Sequence, residues 1–177
     1  MQRQISSIEQ EMNYLTRLRH RNLVKYYSMK YYFEEDVLKV FILKEFVYGS
    51  NCSSLFLSPN VKVDLDQLKY IAKGTLIALD YLHRNNVVHK DIRDSCIYLS
   101  DAGHIKISNY SIHRRLYDLF SRTHSNYSKK TDIFKFGGLL LSLLQGNVIS
   151  DSNMEVPTWI QPDLYDFLTR KSSSMEL

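Results

Sequence analysis

The chain has 177 residues, of which 44% are hydrophobic and 24% are charged, and it carries a formal net charge of +4. This length and apolar content suffice for one buried core. The sequence contains no internal repeat and no low-complexity tract. Because the charge is mild, it favours a mixed solvated surface, and no direct nucleic-acid partner is inferred.

The first predicted element is an amphipathic helix. Its apolar positions recur at helical spacing: Ile5, Ile8, Met12 and Leu15. Ser6 and Glu9 fit a capping box at the start of such a helix. Glu11 lies on the same helix, where a glutamate is usually an ordinary solvated side chain.

Two strand-like runs follow at residues 24–32 and 38–46, joined by the acidic turn Glu34, Glu35 and Asp36. The strand register leaves two interpretations of Lys44 open. Turned inward, Lys44 would need an acidic partner or would have to fill an internal pocket, because a buried ammonium group is costly. Shifted by one residue, it would lie on the solvent face.

A longer amphipathic helix comes next, with apolar residues at Leu65, Leu68, Ala72, Leu76, Leu79 and Leu82. It leads into a polar stretch that begins at His89. Two short strand-like runs, Ile97–Leu99 and Ile105–Ile107, then flank Asp101-Ala102-Gly103, which is suitable turn chemistry. The order predicted here is helix, polar loop and β-hairpin.

The remaining pattern predicts a further helix from Thr131 and a later one from Pro162 to Leu168, followed by a polar tail at residues 171–174. Between the hairpin and the first of these helices lie His113, Arg114 and Arg115. We interpret this triplet as a solvated basic turn, with an anion site as the alternative.

The run from Tyr81 to Ser111 resembles the catalytic core of a protein kinase. In that family His-Arg-Asp is followed by a lysine two residues after its aspartate and an asparagine five residues after it, and Asp-Phe-Gly follows the hairpin. The corresponding residues here are His89, Lys90, Asp91, Arg93, Cys96, Asn109, Tyr110 and Ser111.

This resemblance implies an α+β, protein-kinase-like fold with a truncated small lobe and a mainly helical large lobe that lacks its last helices. Residues 1–48 would form the partial small lobe, with the helix usually called C and two strands. Residues 49–177 would form the large lobe. Within it we expect the catalytic loop at 87–96, the remnant of the metal motif at 109–111 and the central helix at about 130–145.

The resemblance also implies roles for single residues. Asp91 would be the candidate catalytic base, or a vestige that stabilises the loop, and Arg93 would stand for the family's lysine. Glu45 and Val47 would lie in the hinge that contacts a nucleotide. Structural roles fall to His89, Tyr110, Asp132, Leu15 and Glu11.

Glu11 matches the glutamate that pairs with the ATP-anchoring lysine of the family. Because the chain begins on the same helix, the strand bearing that lysine is expected to be missing. We therefore expect Glu11 to have no partner.

Magnesium is the cofactor whose protein ligands have changed. Asn109 lacks the full charge of the family's aspartate, and Cys96 offers soft sulfur in place of a hard oxygen donor. No metal ligand set is expected to remain, and no cofactor is expected. ATP and magnesium would be needed only if the chain is a weak serine/threonine kinase that uses Asp91 as its base.

Three further segments, Val87–Lys90, Ile105–Leu116 and Phe136–Gly146, are similar to the degenerate kinase domain of the general-control amino-acid-starvation kinases, which act on translation initiation factor two alpha. This implies a pseudokinase that regulates an active kinase domain, in the same or another chain, in translational stress control. Two alternatives stay open: a weakly active serine/threonine kinase and a truncated fragment without function.

The two cysteines, Cys52 and Cys96, are too few for a disulfide framework and predict a reducing compartment. The most apolar run, Phe136–Leu144, is far shorter than the roughly 20 residues that span a bilayer. No signal peptide opens the chain. We therefore expect a cytoplasmic protein without a membrane partner.

Overall fold

Helices and short antiparallel strands make up this computed structural model, which describes residues 2–35, 37–57, 63–121 and 126–149, with 156, 158, 162, 163, 165, 166 and 169. The elements are α1 Gln2–Leu15, β1 Tyr26–Glu34, β2 Val37–Lys44, β3 Gly49–Asn51, α2 Ser53–Leu57, α3 Leu65–Arg84, β4 Ile97–Ser100, β5 Ile105–Ile107, α4 Ile112–Ser121 and α5 Lys129–Gln145. A short 3₁₀ turn, Asp94–Cys96, precedes β4. This mixture confirms the predicted α+β class.

Helix α1 buries the four predicted apolar residues, each at most 2% exposed. It begins at Gln2, so Ser6 and Glu9 lie inside the helix and the predicted capping box at its start is wrong. The apolar periodicity extends only from Ile5 to Leu15, and the first turn has no apolar signal of its own. The prediction therefore placed the start too late.

Strands β1 and β2 form an antiparallel hairpin, and α1 packs against β1. The inner face carries Met29 and Leu38, which are buried. The strands end at Glu34 and Lys44, so Glu34 belongs to β1 rather than to the predicted turn. Glu35 follows with a left-handed backbone, φ 48°.

The hairpin is joined to a second, three-stranded sheet in the order β3-β4-β5. The link is a short parallel bridge between Leu23 and Ile107. The main-chain N–H of Val24 donates to the Ile107 carbonyl at 2.9 Å, and the buried Asn22 amide donates to the Ile105 carbonyl at 2.7 Å. These bonds fix the hairpin against the larger part of the molecule.

Helix α3 begins with a capping box, in which Asp64 accepts from the main-chain N–H of Gln67 at 2.7 Å. Its Gly74 lies directly on β5. A Cβ atom at Gly74 would lie 2.5 Å from the Cβ of Ile105, so the absence of a side chain permits this close packing. The predicted hairpin beyond α3 is present as β4 and β5.

Helix α5 begins at a capping box made by Ser128 and Thr131 and ends at Gly146, whose left-handed backbone has a φ of 73°. Most of its middle turns are buried. Of the next predicted helix only Pro162, Asp163, Tyr165 and Asp166 are described, and their backbone is helical, as is that of Thr169 just beyond it. The polar tail at 171–174 lies outside the described residues.

Helix α4 occupies the segment predicted as a solvated basic turn, so that prediction is wrong. Ile112 is fully buried, and Leu116 and Leu119 pack partly buried against the core. The helix contacts α1 across the small lobe. Of the helices described, none is long and apolar enough to cross a membrane.

Candidate functional site

The carboxylate of Asp132, at the start of α5, holds the loop that follows α3. It is 1% exposed and accepts hydrogen bonds from the main-chain N–H groups of His89, at 2.7 Å, and Lys90, at 2.8 Å. The ring of His83 lies 2.8 Å from the same carboxylate. Because buried polar groups need partners, this one side chain fixes the backbone of the loop.

His89 is fully buried between this loop and the core. Its Nε2 lies 3.0 Å from the Ser108 carbonyl, and its ring meets that of Tyr110 edge-on at 6.5 Å. Burial lowers the pKa of His89, and the Asp132 charge only partly offsets that effect. The imidazole is therefore held neutral at pH 7, as a packing residue.

Tyr110 continues this packing into the small lobe. Its hydroxyl donates to the Val24 carbonyl at 2.9 Å, while the Tyr26 hydroxyl donates to the Tyr110 carbonyl at 3.3 Å. Leu15 of α1 is fully buried in the same hydrophobic core. Leu15 and Tyr110 thus belong to one hydrophobic core, and Tyr110 also meets the ring of His89.

The carboxylate of Asp91 is 13% exposed and bonded to the guanidinium of Arg93, whose side chain is 56% exposed. That hydrogen bond raises the pKa of Arg93 above its ordinary value. The Asp91 carbonyl accepts from the Cys96 thiol at 3.4 Å. The carboxylate and the carbonyl of Asp91 thus both have partners within the same loop.

Lys44 reaches from the end of β2 to the residue that stands in the metal motif. Its ammonium donates to Asn109 Oδ1 at 2.9 Å, and the Asn109 amide in turn lies 4.0 Å from the Cys96 sulfur. Burial lowers the pKa of Lys44, and the nearby Cys96 side chain offsets this effect only in part. The inward register is confirmed, but the partner is an amide, whereas the sequence analysis expected either an acidic partner or a lysine that fills an internal pocket.

The donors at this position do not fit magnesium. The Asn109 oxygen already accepts from an ammonium, and burial raises the pKa of Cys96 to about 11, so its sulfur is a neutral thiol at pH 7. A neutral thiol and an occupied amide are not hard anionic oxygen ligands. Among the residues described, no cluster of three or more His, Cys, Asp or Glu side chains could hold a metal ion.

Glu11 has three partners, so the prediction that it has none is wrong. It accepts from the Ser111 hydroxyl and from the Arg115 guanidinium, and the Lys90 ammonium lies 3.4 Å away. Burial would raise the pKa of Glu11, but these hydrogen bonds and charges hold it below its ordinary value. Burial lowers the pKa of Lys90, and the charge of Glu11 only partly offsets that effect.

The first turn of α4 places His113 in the cleft between hairpin and loop. Its Nδ1 lies 3.4 Å from the Tyr26 hydroxyl, and the two rings stack at 6.5 Å. Burial, then the positive charge of Lys44, lowers the pKa of His113 to about 4. The sequence offered His113 and Arg115 only as part of an alternative anion site and did not predict the contacts of His113 with Tyr26 or of Arg115 with Glu11. The i, i+4, i+7 apolar spacing of α4 could have revealed the helix.

The hinge residues are half-buried, and Glu45 is occupied. Its main-chain N–H donates to the Lys25 carbonyl at 2.7 Å, and its carboxylate accepts from Lys106 at 2.6 Å. Burial opposes the charged form, but the Lys106 hydrogen bond holds the pKa of Glu45 below its ordinary value. Val47 lies two residues further on, between the exposed rings of Phe46 and Tyr48.

A model of the protein kinase domain matches residues 1–163 of this chain. The eIF-2-alpha kinase GCN2 of Rattus norvegicus is 35% identical over 95% of this chain and 11% of that protein, and its Homo sapiens counterpart is 34% identical over the same shares. Serine/threonine-protein kinase dst2 of Dictyostelium discoideum is 31% identical over 58% of this chain and 9% of that protein. The chain thus spans about a tenth of the length of these relatives.

Proposed function

The chain belongs to the protein kinase family, and on that premise we propose that it is a pseudokinase domain, which regulates an active kinase partner and transfers no phosphate. The observation that carries this proposal is the hydrogen bond between Lys44 and Asn109. A lysine ammonium there occupies the oxygen at the place where the family binds magnesium.

Phosphoryl transfer depends on positioning and on a metal that neutralises developing charge. In this chain Asn109 is bonded to Lys44 and the sulfur of Cys96 is protonated. The cation of the small lobe thus replaces a metal as the partner of the motif. The hydrogen bond between Lys44 and Asn109 keeps the two lobes together without a nucleotide.

A second feature supports the same proposal from the opposite side of the cleft. Glu11 matches the residue that positions the ATP-anchoring lysine in active kinases, but here it is bonded to Ser111, Arg115 and Lys90. Freeing this carboxylate would leave two partly buried cations without their shared partner. The arrangement therefore favours a single, fixed conformation.

The similarity to eIF-2-alpha kinases supports a place in translational stress control. On this proposal the partner is an active kinase domain, in the same chain or another, and the compartment is the cytoplasm. Neither nucleic acid nor a membrane is a direct partner in it. ATP and magnesium are not cofactors of the domain.

The experiment that tests this function is a thermal-shift titration with ATP, with and without magnesium, on the wild type and Lys44→Met. A phosphotransfer assay compares the wild type with Asp91→Asn. We expect no magnesium-dependent rise in Tm. We also expect the wild type and Asp91→Asn to show the same phosphotransfer. Magnesium-dependent stabilisation together with transfer that Asp91→Asn abolishes would overturn the proposal.

The regulatory part has its own measurement. Adding this chain to a recombinant active eIF-2-alpha kinase domain is expected to change the kcat/KM of that domain several-fold, in a saturable manner. Asp91→Asn should act like the wild type, because regulation needs no phosphotransfer. An unchanged kcat/KM at saturating concentrations would refute regulation of this partner class.

A second candidate function is weak serine/threonine kinase activity with Asp91 as the base. The observation favouring it is a cavity of about 250 Å³ that opens beside Asp91 and Arg93 and is lined on its far side by α5. A hydroxyl group entering this cavity would meet a carboxylate already bonded to Arg93. The same Asp91→Asn assay decides between the two functions.

A further inference from the structure

An exposed serine of helix α1 lies against an arginine of helix α4. The Nη2 of Arg115 donates to the hydroxyl of Ser7 at 3.3 Å, and the Ser7 side chain is open to solvent. The other terminal nitrogen of the same guanidinium, Nη1, donates to the carboxylate of Glu11. The two arms of one arginine therefore reach two residues that lie about one helical turn apart on α1.

The guanidinium of Arg115 suits a phosphate better than the hydroxyl that it contacts. Its N–H groups form a planar fork that matches the oxygens of a phosphate, and such charge-assisted hydrogen bonds are roughly twice as strong as neutral ones. The bond to the Ser7 hydroxyl, at 3.3 Å, is longer than most N–H···O bonds. A phosphate on Ser7 would extend its oxygens from the hydroxyl towards this fork.

The charge around Ser7 is positive when the opposing groups are counted as well. Besides the α4 arginine, Arg3 lies four residues before Ser7, on the same side of the helix. Glu11, four residues after it, is the opposing carboxylate, and the Lys90 ammonium lies 3.4 Å from that carboxylate. Glu9 is two residues away and projects from another side of α1. Three cations thus surround one carboxylate, which favours a phosphate with its charge of up to −2.

A phosphate on Ser7 does not have to displace Glu11. The Nη1 arm of Arg115 can keep Glu11 while the Nη2 arm binds the phosphate, and Glu11 also accepts from the Ser111 hydroxyl. The Arg115 side chain is 31% exposed, so water screens the new ion pair only in part. The modification would therefore add a contact between α1 and α4 without removing the existing one.

Two nearby serines show why the position matters. The hydroxyl of Ser111 also accepts from a cation, the Lys90 ammonium at 2.7 Å, but Ser111 is fully buried and out of reach of a modifying enzyme. Ser6 is half-buried and lies about 100° around α1 from Ser7. A phosphate on Ser6 would therefore point away from the α4 arginine.

We propose that Ser7 is a phosphorylation site whose phosphate pairs with Arg115 and holds α1 against α4. A separate serine/threonine kinase supplies the phosphate from ATP. The bond from the Ser7 oxygen to the γ-phosphorus forms as the bond between that phosphorus and the bridging oxygen breaks, so ADP leaves and the hydroxyl proton passes to the base of that enzyme. The inference does not depend on the proposed function, because the ion pair forms whether or not this chain transfers phosphate.

The first experiment compares the thermal stability of three forms of the full chain: unmodified, with phosphoserine encoded at position 7, and with phosphoserine encoded at position 6. Phosphoserine at position 7 should raise the Tm by about 3 °C, as expected for strong new hydrogen bonds in a chain of this size. Phosphoserine at position 6 should leave the Tm unchanged or lower it. The rise should shrink as salt is added, because the pair is partly exposed.

Substitutions at the arginine separate an ion pair from a general effect of the phosphate on the helix. In Arg115→Gln the phosphate on Ser7 should no longer raise the Tm, and in Arg115→Lys, which keeps the charge without the fork, less than half of the rise should remain. A circular-dichroism melt of each unmodified variant establishes that it is folded. Arg3→Gln is a milder control and should reduce the rise without abolishing it.

The second experiment asks whether the modification occurs. The full chain is expressed in cultured animal cells, during growth and during nutrient starvation, and isolated with phosphatase inhibitors. Mass spectrometry should find phosphate on Ser7, and phosphatase treatment should return the Tm to that of the unmodified chain.

Three results would overturn the inference. They are an unchanged or lower Tm with phosphoserine at position 7, a rise that is equal at position 6 or that persists in Arg115→Gln, and the absence of phosphate on Ser7 from both cell samples. The second result would assign the rise to the phosphate charge on the helix alone.

Discussion

The two ends of the loop after α3 are held in opposite ways. At one end the buried Asp132 carboxylate binds two main-chain N–H groups directly. At the other, the sulfur of Cys96 lies 4.0 Å from the amide nitrogen of Asn109, whose oxygen accepts from the half-buried ammonium of Lys44. The first region keeps the hydrogen-bond acceptor that the loop conformation requires. In the second region, Asn109 and Cys96 stand where the family has its metal ligands, and Asn109 bonds to Lys44 instead. Loop shape and loop chemistry are therefore separable properties of this fold.

The largest effect is expected where the loop is supported. Asp132→Ala leaves the N–H groups of His89 and Lys90 buried without their acceptor, and it should lower the free energy of unfolding by roughly 4 kcal/mol in a urea titration. Asp80→Ala, which removes an exposed ion pair with Arg84, should cost less than about 1 kcal/mol. Similar losses for both variants would show that the buried Asp132 carboxylate stabilises the protein no more than the exposed Asp80–Arg84 ion pair does.

A smaller effect is expected at the carboxylate of α1. Glu11→Gln removes the charge shared by Arg115 and Lys90 and should destabilise the protein by roughly 2 kcal/mol in the same titration. The control is Glu34→Gln, whose pair with Lys39 is exposed and should contribute almost nothing. If the two variants unfold alike, the Glu11 network does not fix the helix.

Acid should weaken the cleft before it weakens the network around Glu11. Because the folded state lowers the pKa of His113 from 6.5 to about 4, the stability that it contributes is complete above pH 6.5 and is lost as the pH falls towards 4. Allowing for partial exposure, we expect a loss of roughly 1 to 2 kcal/mol between pH 6.5 and 5. The pKa of Glu11, also lowered, adds its loss only below its ordinary value of 4.5.

The measurement is a series of urea titrations across that pH range for the wild type and His113→Gln. The variant should lose part of the slope, and the buried His89, whose pKa is also lowered, should account for what remains. An unchanged slope in His113→Gln would show that this ring is not held neutral in the cleft.

The smallest effect is expected at Asn109, and it tests most directly whether the Lys44 contact has replaced a metal site. Asn109→Asp gives Lys44 a charged partner and should raise the free energy of unfolding by about 1 kcal/mol, because hydrogen bonds between charged groups are stronger. The gain should vanish in a Lys44→Met background and should not depend on magnesium. A gain that persists without Lys44, or one that requires magnesium, would mean that the position still behaves as a metal site.

Local pattern was enough for much of the fold. Helical periodicity predicted α3 and α5, and strand-like runs around a turn predicted β4 and β5. The resemblance of the run from Tyr81 to Ser111 to a kinase catalytic core identified the family, which the comparisons confirm. These features depend on residues close together in the sequence. The roles predicted for Asp91, Arg93, Glu45 and Val47 stay predictions.

Long-range contacts were not predictable in the same way. The partners of Glu11 lie on the loop and on α4, and the partner of Lys44 lies beyond β5, so no local spacing reveals either contact. Lys90, Asn109 and Ser111 have positive φ angles of 60–72°, a conformation that L residues adopt rarely and that sequence pattern does not signal. Tertiary packing determines these features.

Gly74 has an evolutionary consequence. Since a Cβ atom there would lie 2.5 Å from the Ile105 side chain, the two positions cannot drift independently. A lineage that acquires alanine at position 74 is expected to carry a residue smaller than isoleucine at position 105. The smaller residue at position 105 must come first, because otherwise the new Cβ atom would clash with the Ile105 side chain. Paired variation at these two positions would record that history.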